Sequence, residues 1–261
     1  MDWALVTAIT IPIHHIGLIK LFDWHGKDRN DPKSVRRRFS AIVVSCFIAV
    51  ASVYWALSLD SLSSLASILG VRYPCYSIGV VVSIVVHTCI FFTPNIIDGI
   101  VDWDWLYIKG TVQEITWVRN TFMAPVCEEL AFRACAGQLV ASSLGRTPSI
   151  WLTPLLFALS HLHLVADDRR HGYGLAEALK MRSFQVIYTY VFGVYATVLF
   201  FRTGDILAPI VCHSICNNFG LPIIVELSER PSSMYRTLLI IVSFVGLALF
   251  IASFSSFVPS Q

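Results

Sequence analysis

The sequence predicts an all-α, polytopic transmembrane helical bundle of about seven or eight helices around a polar intramembrane cavity open to the cytosol. Three observations carry that expectation. Charged residues fill only 14% of the 261 positions, against about 25% in a soluble domain. Hydrophobic residues fill 56% and aromatics 13%. The apolar residues also fall into runs of about 20, the length a helix needs to cross a bilayer.

The elements follow in chain order. The first 22 residues are apolar but contain Asp2, Pro12, His14 and His15. They lack a basic n-region and a small-residue cleavage site, so they read as an irregular first membrane segment rather than a cleaved signal. Clear spans are expected at about 40–58, 77–97, 148–165, 183–202, 205–226 and 235–257. A further helix at about 116–142 is marked by charge. Residues 98–113 hold Trp103, Trp105 and Tyr107 among acids, as an interfacial helix or aromatic belt would. No internal repeat is visible, so 1–261 reads as one membrane domain with a motif-bearing core at 116–222.

Charge patterning orients the chain. Residues 23–38 carry Lys27, Arg29, Lys33, Arg36, Arg37 and Arg38 directly before a clear span, which places them in the cytosol. Alternation returns 98–113 and then 166–182 to that side. The second of these loops is basic too, with Arg169, Arg170, Lys180 and Arg182. A net charge of +2 and the absence of a glycine-rich phosphate loop give no reason to expect nucleic acid or nucleotide as a partner. The seven cysteines are odd in number and lie mostly in apolar runs, as reduced, buried side chains do.

The run CEELAFRACAGQL (127–139) places three charges in an apolar helix. Each costs about 2.5–3.5 kcal/mol at mid-membrane, so each needs a partner or water. Glu129 and Arg133 are spaced i, i+4 and share a face. In a regular α-helix Glu128 points about 100° away from Glu129 and is left without that counter-ion. Either the trio is a buried network fixing the packing, or Glu128 faces a polar cavity as a general base. Two other apolar helices carry polar groups. FALSHLH supplies Phe157, His161 and His163, and the two imidazoles point about 200° apart. CHSICNN supplies His213 and Asn217 on one face. Each is compatible with ordinary helix packing; together, one shared cavity satisfies all of them. His161 lies near the cytosolic end of its helix and Glu128 and His213 nearer the middle, which suits a cavity opening toward the cytosol.

Glu128-Glu129-x-x-x-Arg133, Phe157-x-x-x-His161 and His213-x-x-x-Asn217, in that order, resemble three motifs of the CAAX protease and bacteriocin-processing superfamily. The runs RNTFMAPVCEELAFRA, FFRTGDILAPIVCHSICNNFGLP and NDPKSVRRRF are similar to its eukaryotic branch, the Ras-converting CAAX prenyl endopeptidases of the endoplasmic reticulum. The resemblance implies removal of the last three residues from farnesylated or geranylgeranylated CAAX proteins such as small GTPases. That step falls between a prenyltransferase and an isoprenylcysteine methyltransferase. It implies a multi-pass protein of the endoplasmic reticulum membrane, a site accessible from the cytosol and no cofactor. It further implies that Glu128 with His161 holds and deprotonates water, and that His213 and Asn217 stabilise the oxyanion. Glu129, Arg133 and Phe157 are then support for the site.

Other chemistries fit parts of the pattern. Glu128, His161 and His213 make a plausible zinc ligand set. Cys127, Cys212 and Cys216 adjoin motif residues, as in a thiol protease. Intramembrane Glu and His also serve proton relays and transporters, although no inverted repeat accompanies them here. A non-catalytic membrane scaffold is the remaining alternative.

Overall fold

A computed structural model describes residues 2–26, 28–101, 104–221 and 232–258. All regular structure among them is helical. Helix α1 (Trp3–Phe22) is capped by the Asp2 carboxylate, which accepts from the Leu5 amide at 3.2 Å. Helix α2 (Pro32–Ala56) begins with Pro32 at its first turn, and Asp31 accepts from the Lys33 and Ser34 amides at 3.0 Å. Both are standard helix starts. The two helices pack against each other, and the Ser45 hydroxyl joins them through bonds to His14 Nδ1 (3.0 Å) and His15 Nδ1 (3.1 Å). Interhelical polar bonds of this kind replace the hydrophobic driving force that lipid removes.

Asp23 closes the turn between α1 and α2. It accepts from the Ser34 hydroxyl, from Arg37 Nε at 2.9 Å and from Arg38 Nε at 2.6 Å. Burial alone pushes its carboxyl up, but the Ser34, Arg38 and Arg37 bonds outweigh burial and hold it below the usual carboxylate value. A lowered folded value gives stability that is present above the unfolded pKa of about 3.9 and lost as pH falls through the folded value. Asp23→Asn is therefore expected to lower the thermal unfolding midpoint at neutral pH. The gap to the wild type should narrow below about pH 4; a gap independent of pH would contradict this account.

Helix α3 (Leu62–Ile68) is short. Helix α4 (Pro74–Phe91) does not run on to 97 as one straight span. It bends by 74° into α5 (Thr93–Val101). Thr93 Oγ1 donates back to the Cys89 and Ile90 carbonyls (3.1 and 2.9 Å), and Pro94 has no amide proton to continue the ladder. Helix α6 (Trp105–Gln113) holds an exposed Trp105. Trp103 and the side chain of Tyr107 lie outside what is described, as does Lys27, so the expected aromatic belt is seen only in part.

Residues 115–144 form the expected charge-marked helix, but not a uniform one. It consists of α7 (Ile115–Val118), a π-helical turn (Arg119–Met123), α8 (Ala124–Glu128), a π-helical stretch (Glu129–Gly137) and α9 (Gln138–Leu144). The first widening precedes Pro125, which gives no proton to the carbonyl four residues back. Gly145, at φ +92°, ends the run. The second widening is buried on all sides from Ala131 to Gly137. It sits at the centre of the main core, which includes Phe132, Leu139, Phe157 and Phe200.

Helix α10 (Arg146–Ser160), a 3₁₀ turn (His161–Leu164) and α11 (Val165–Arg170) together form one long apolar segment. Helix α12 (Leu175–Thr203) ends at Gly204 in the left-handed region (φ +58°). Helix α13 (Leu207–Phe219) has 13 residues, not the expected 205–226. At 1.5 Å per residue it is about 20 Å long, short of the hydrocarbon thickness. Gly220, at φ +69°, stops it, and 222–226 lie outside the described residues. Helix α14 (Ser233–Phe257) closes the set and passes against the α4–α5 bend, where a Cβ on Gly246 would lie 2.9 Å from the Ile90 carbonyl.

Among the described residues, five segments are long and apolar enough to cross a membrane, or six if α4–α5 counts as one span. Their outer faces carry large apolar side chains such as Ile13, Phe47, Ile187 and Phe244, which a lipid solvent tolerates. The protein is thus a multi-pass membrane protein. The two basic loops meet at one end of it. Asp167 takes Lys20 at 2.8 Å, Arg170 at 3.6 Å and Arg38 at 3.8 Å, and Asp168 takes Arg182. These pairs tie α1, α2, α11 and α12 together at the side the charge pattern assigns to the cytosol.

Candidate active site

Glu129 is the anchor. Its Oε1 accepts from Arg133 Nη1 at 3.0 Å and from His213 Nδ1 at 2.7 Å. Both Glu129 and Arg133 are fully buried. The guanidinium lies 4.2 Å from the Phe157 ring centre and 5.6 Å from that of Phe192. The charge is thus matched by one carboxylate and two aromatic faces, which offset part of the cost of burying it, while Nε and Nη2 find no hydrogen-bond partner among the described residues. Gly193 brings α12 close enough for this packing, since a Cβ there would stand 2.9 Å from Pro154 and 3.3 Å from Arg133 Nη2.

The i, i+4 spacing forms the expected pair even though the helix is widened there. The regular-helix angles do not carry over to this stretch, because π turns rotate each residue less. Glu128 is not left alone either. Its Oε2 lies 3.9 Å from His213 Nε2, and 23% of its side chain is exposed, against none of Glu129. His213 therefore stands between the two glutamates, with its ring held against Phe192 at 4.9 Å and Phe157 at 6.3 Å.

The tautomers follow from the bonds. Nδ1 of His213 faces a carboxylate and must carry the proton, so Nε2 points at Glu128. His161 Nδ1 donates to the Phe157 carbonyl at 3.0 Å, which likewise leaves Nε2 as its working atom. His161 stands edge-on to the Phe157 ring at 5.0 Å. Phe157 thus touches His161, His213 and Arg133 at once. His161 begins a 3₁₀ turn rather than lying within an α-helix, so the expected 200° separation from His163 becomes about 240°. His163 is bound to the Ser160 carbonyl at 2.6 Å.

Asn217 is exposed at the end of α13, and its Nδ2 donates to the Asn120 carbonyl at 2.9 Å. One of its two amide hydrogens is so occupied, and the other has no partner among the described residues. Asn218 binds Trp117 Nε1 at 2.9 Å and Thr121. These bonds fasten α13 to the first π turn. Phe192, Asn120 and the Glu129–His213 bond have no signal in the sequence; they arise from residues far apart in the chain.

Among the described residues, no three His, Cys, Asp or Glu side chains are gathered closely enough to hold a metal ion. Six cysteines there are free thiols, with Cys46, Cys127, Cys135 and Cys212 buried.

The profile of the family "Type II CAAX prenyl endopeptidase Rce1-like" matches residues 111–219, the stretch that builds this cluster. "CAAX prenyl protease 2" of Caenorhabditis elegans is 36% identical over 96% of this chain and 96% of its own. The chain belongs to the type II CAAX prenyl endopeptidases. The human protein of the same name is 27% identical over 88% of this chain and 74% of its own. That of Arabidopsis thaliana is 42% identical over 41% and 35%. No solved structure matches. Within this family's chain, the three motifs lie on the charge-marked helix, at the α10 end and on α13.

Proposed function

We propose that the protein removes the C-terminal AAX tripeptide from prenylated CAAX proteins, small GTPases among them, after prenylation and before carboxyl methylation. It does so in the endoplasmic reticulum membrane, through a polar cavity open to the cytosol. The observation that carries the mechanism is the His213 ring, fixed on Glu129 through Nδ1 with Nε2 turned to a partly exposed Glu128 3.9 Å away.

Water is a poor nucleophile and needs a base within hydrogen-bond reach. Glu128, with His161 Nε2 as a second acceptor, holds the water and takes its proton as the oxygen attacks the scissile carbonyl. For His213 to donate to the resulting oxyanion, Nε2 must be protonated as well as Nδ1. The ring then acts as an imidazolium flanked by two carboxylates. The other amide hydrogen of Asn217 supplies a second donor, oriented by the Asn120 carbonyl. Such donors are worth about 3–4 kcal/mol each. As the C–N bond breaks, Glu128 returns the proton to the leaving amine, giving a prenylcysteine carboxylate and a free tripeptide. Glu129, Arg133 and Phe157 hold these groups in place. The prenyl chain stays in lipid, worth about 0.8 kcal/mol per buried CH₂.

The test is hydrolysis by the purified chain in vesicles. A farnesylated CAAX peptide should release its tripeptide, and the unprenylated peptide should react far more slowly. No release from either would refute the proposal. Activity lost to a chelator and restored by zinc alone would replace the water-and-glutamate route with a zinc one.

A further inference from the structure

Four arginines crowd the end of the bundle beside the site: Arg29, Arg38, Arg119 and Arg182. Three of them are engaged. Arg38 holds Asp23, and Arg182 grips Asp168 with two nitrogens and Gln185 with a third. Arg119 clamps the loop between α1 and α2. Its Nη1 donates to the Arg29 carbonyl at 3.2 Å and to Asn30 Oδ1 at 3.0 Å, and its Nε donates to Asn120 Oδ1 at 2.9 Å. Asn120 is the residue whose carbonyl orients Asn217. The Arg29 backbone is therefore tethered directly beside the third motif. The half-buried Arg29 guanidinium makes no hydrogen bond or ion pair among the described residues. It lies within Coulombic reach of Glu128 and Asp167, of His161 and His163, and of Tyr188.

We infer that Arg29 is the receptor for the free α-carboxylate of the substrate's last residue. The inference rests on the endopeptidase reading above. A cut that releases a tripeptide leaves the terminal carboxylate about 10 Å from the scissile bond when the segment is extended. A planar guanidinium with no partner among the described residues, on a loop tied through Arg119 and Asn120 to Asn217, can take that group with two parallel hydrogen bonds. The loop clamped by Arg119 would then set how far from the site the terminal carboxylate is held, and so the length of the released peptide. An unpaired, partly desolvated cation is costly in the empty enzyme, and the arriving carboxylate relieves that cost.

Matched farnesylated peptides ending in a free acid or a carboxamide test this, assayed in neutral phosphatidylcholine vesicles with the wild type, Arg29→Gln and Arg29→Lys. The wild type should favour the acid by about ten- to a hundredfold in kcat/KM, mostly through KM. Arg29→Gln should bring the acid-to-amide ratio to unity, and Arg29→Lys should restore part of it. A general folding defect would lower both rates without moving the ratio. Equal cleavage of acid and amide by the wild type would overturn the inference while leaving the endopeptidase reading intact, as would an acid preference that survives in Arg29→Gln. Rates that depend on Arg29 only when anionic lipid is present would assign it to a lipid phosphate instead. Failure of the wild type to cleave the acid peptide at all would remove the endopeptidase reading itself, and this assignment with it.

Discussion

Glu128→Gln is expected to abolish tripeptide release from a farnesylated CAAX peptide while the protein still inserts and melts near the wild-type temperature. The two halves of that expectation have separate physical grounds. General-base catalysis contributes about 10²–10⁴ in rate, and an amide of the same shape cannot take a proton from water. Stability is a different matter. Glu128 is partly exposed, and His213 Nε2 stands 3.9 Å from its carboxylate, beyond hydrogen-bonding distance. Removing its charge therefore strands no buried partner. Rates within tenfold of the wild type would refute the assignment of Glu128 as base. A large drop in melting temperature would instead move Glu128 into the structural network and leave the base to be found elsewhere.

What the sequence disclosed, and what it hid, divides along the range of the interactions involved. Local spacing made the Glu129–Arg133 pair legible, because i, i+4 contacts belong to one helix and survive its widening. The spans at α2, α12 and α14 were legible from length and apolarity alone. The bend at Phe92 had a local cause in Thr93 and Pro94, but an unbroken apolar run masked it. The short α13 was masked in the same way, since Gly220 sits within the apolar run from Phe219 to Val225. The second role of Glu129 could not be read at all. Its bond to His213 spans 84 positions and depends on how α13 packs across the central helix. For that reason the sequence separates a scaffold glutamate from a catalytic one too cleanly: Glu129 is bonded to a site histidine.

That double engagement gives Glu129 and Arg133 the other large expected effect. Glu129→Ala should strand a fully buried guanidinium, and Arg133→Ala should leave a fully buried carboxylate with only the His213 ring as its partner. Each should cost about 3–5 kcal/mol of stability, seen as lower yield and an earlier thermal transition. Glu129→Leu combined with Arg133→Met replaces both charges with side chains of similar volume, and such replacements are commonly neutral or stabilising. The double variant should therefore recover most of the melting temperature lost in either single change. It should not recover activity. His213 Nδ1 would lose its carboxylate, and Nε2 its fixed aim at Glu128. Removing the carboxylate that orients a catalytic histidine has cost about 10⁴ in turnover elsewhere, so a loss of at least about a hundredfold is expected here. Melting curves and tripeptide release measured on the same preparations separate the two roles. A double variant both stable and fully active would mean that the buried pair serves packing alone. One stable but inactive would mean that the membrane interior tolerates these charges because they position His213.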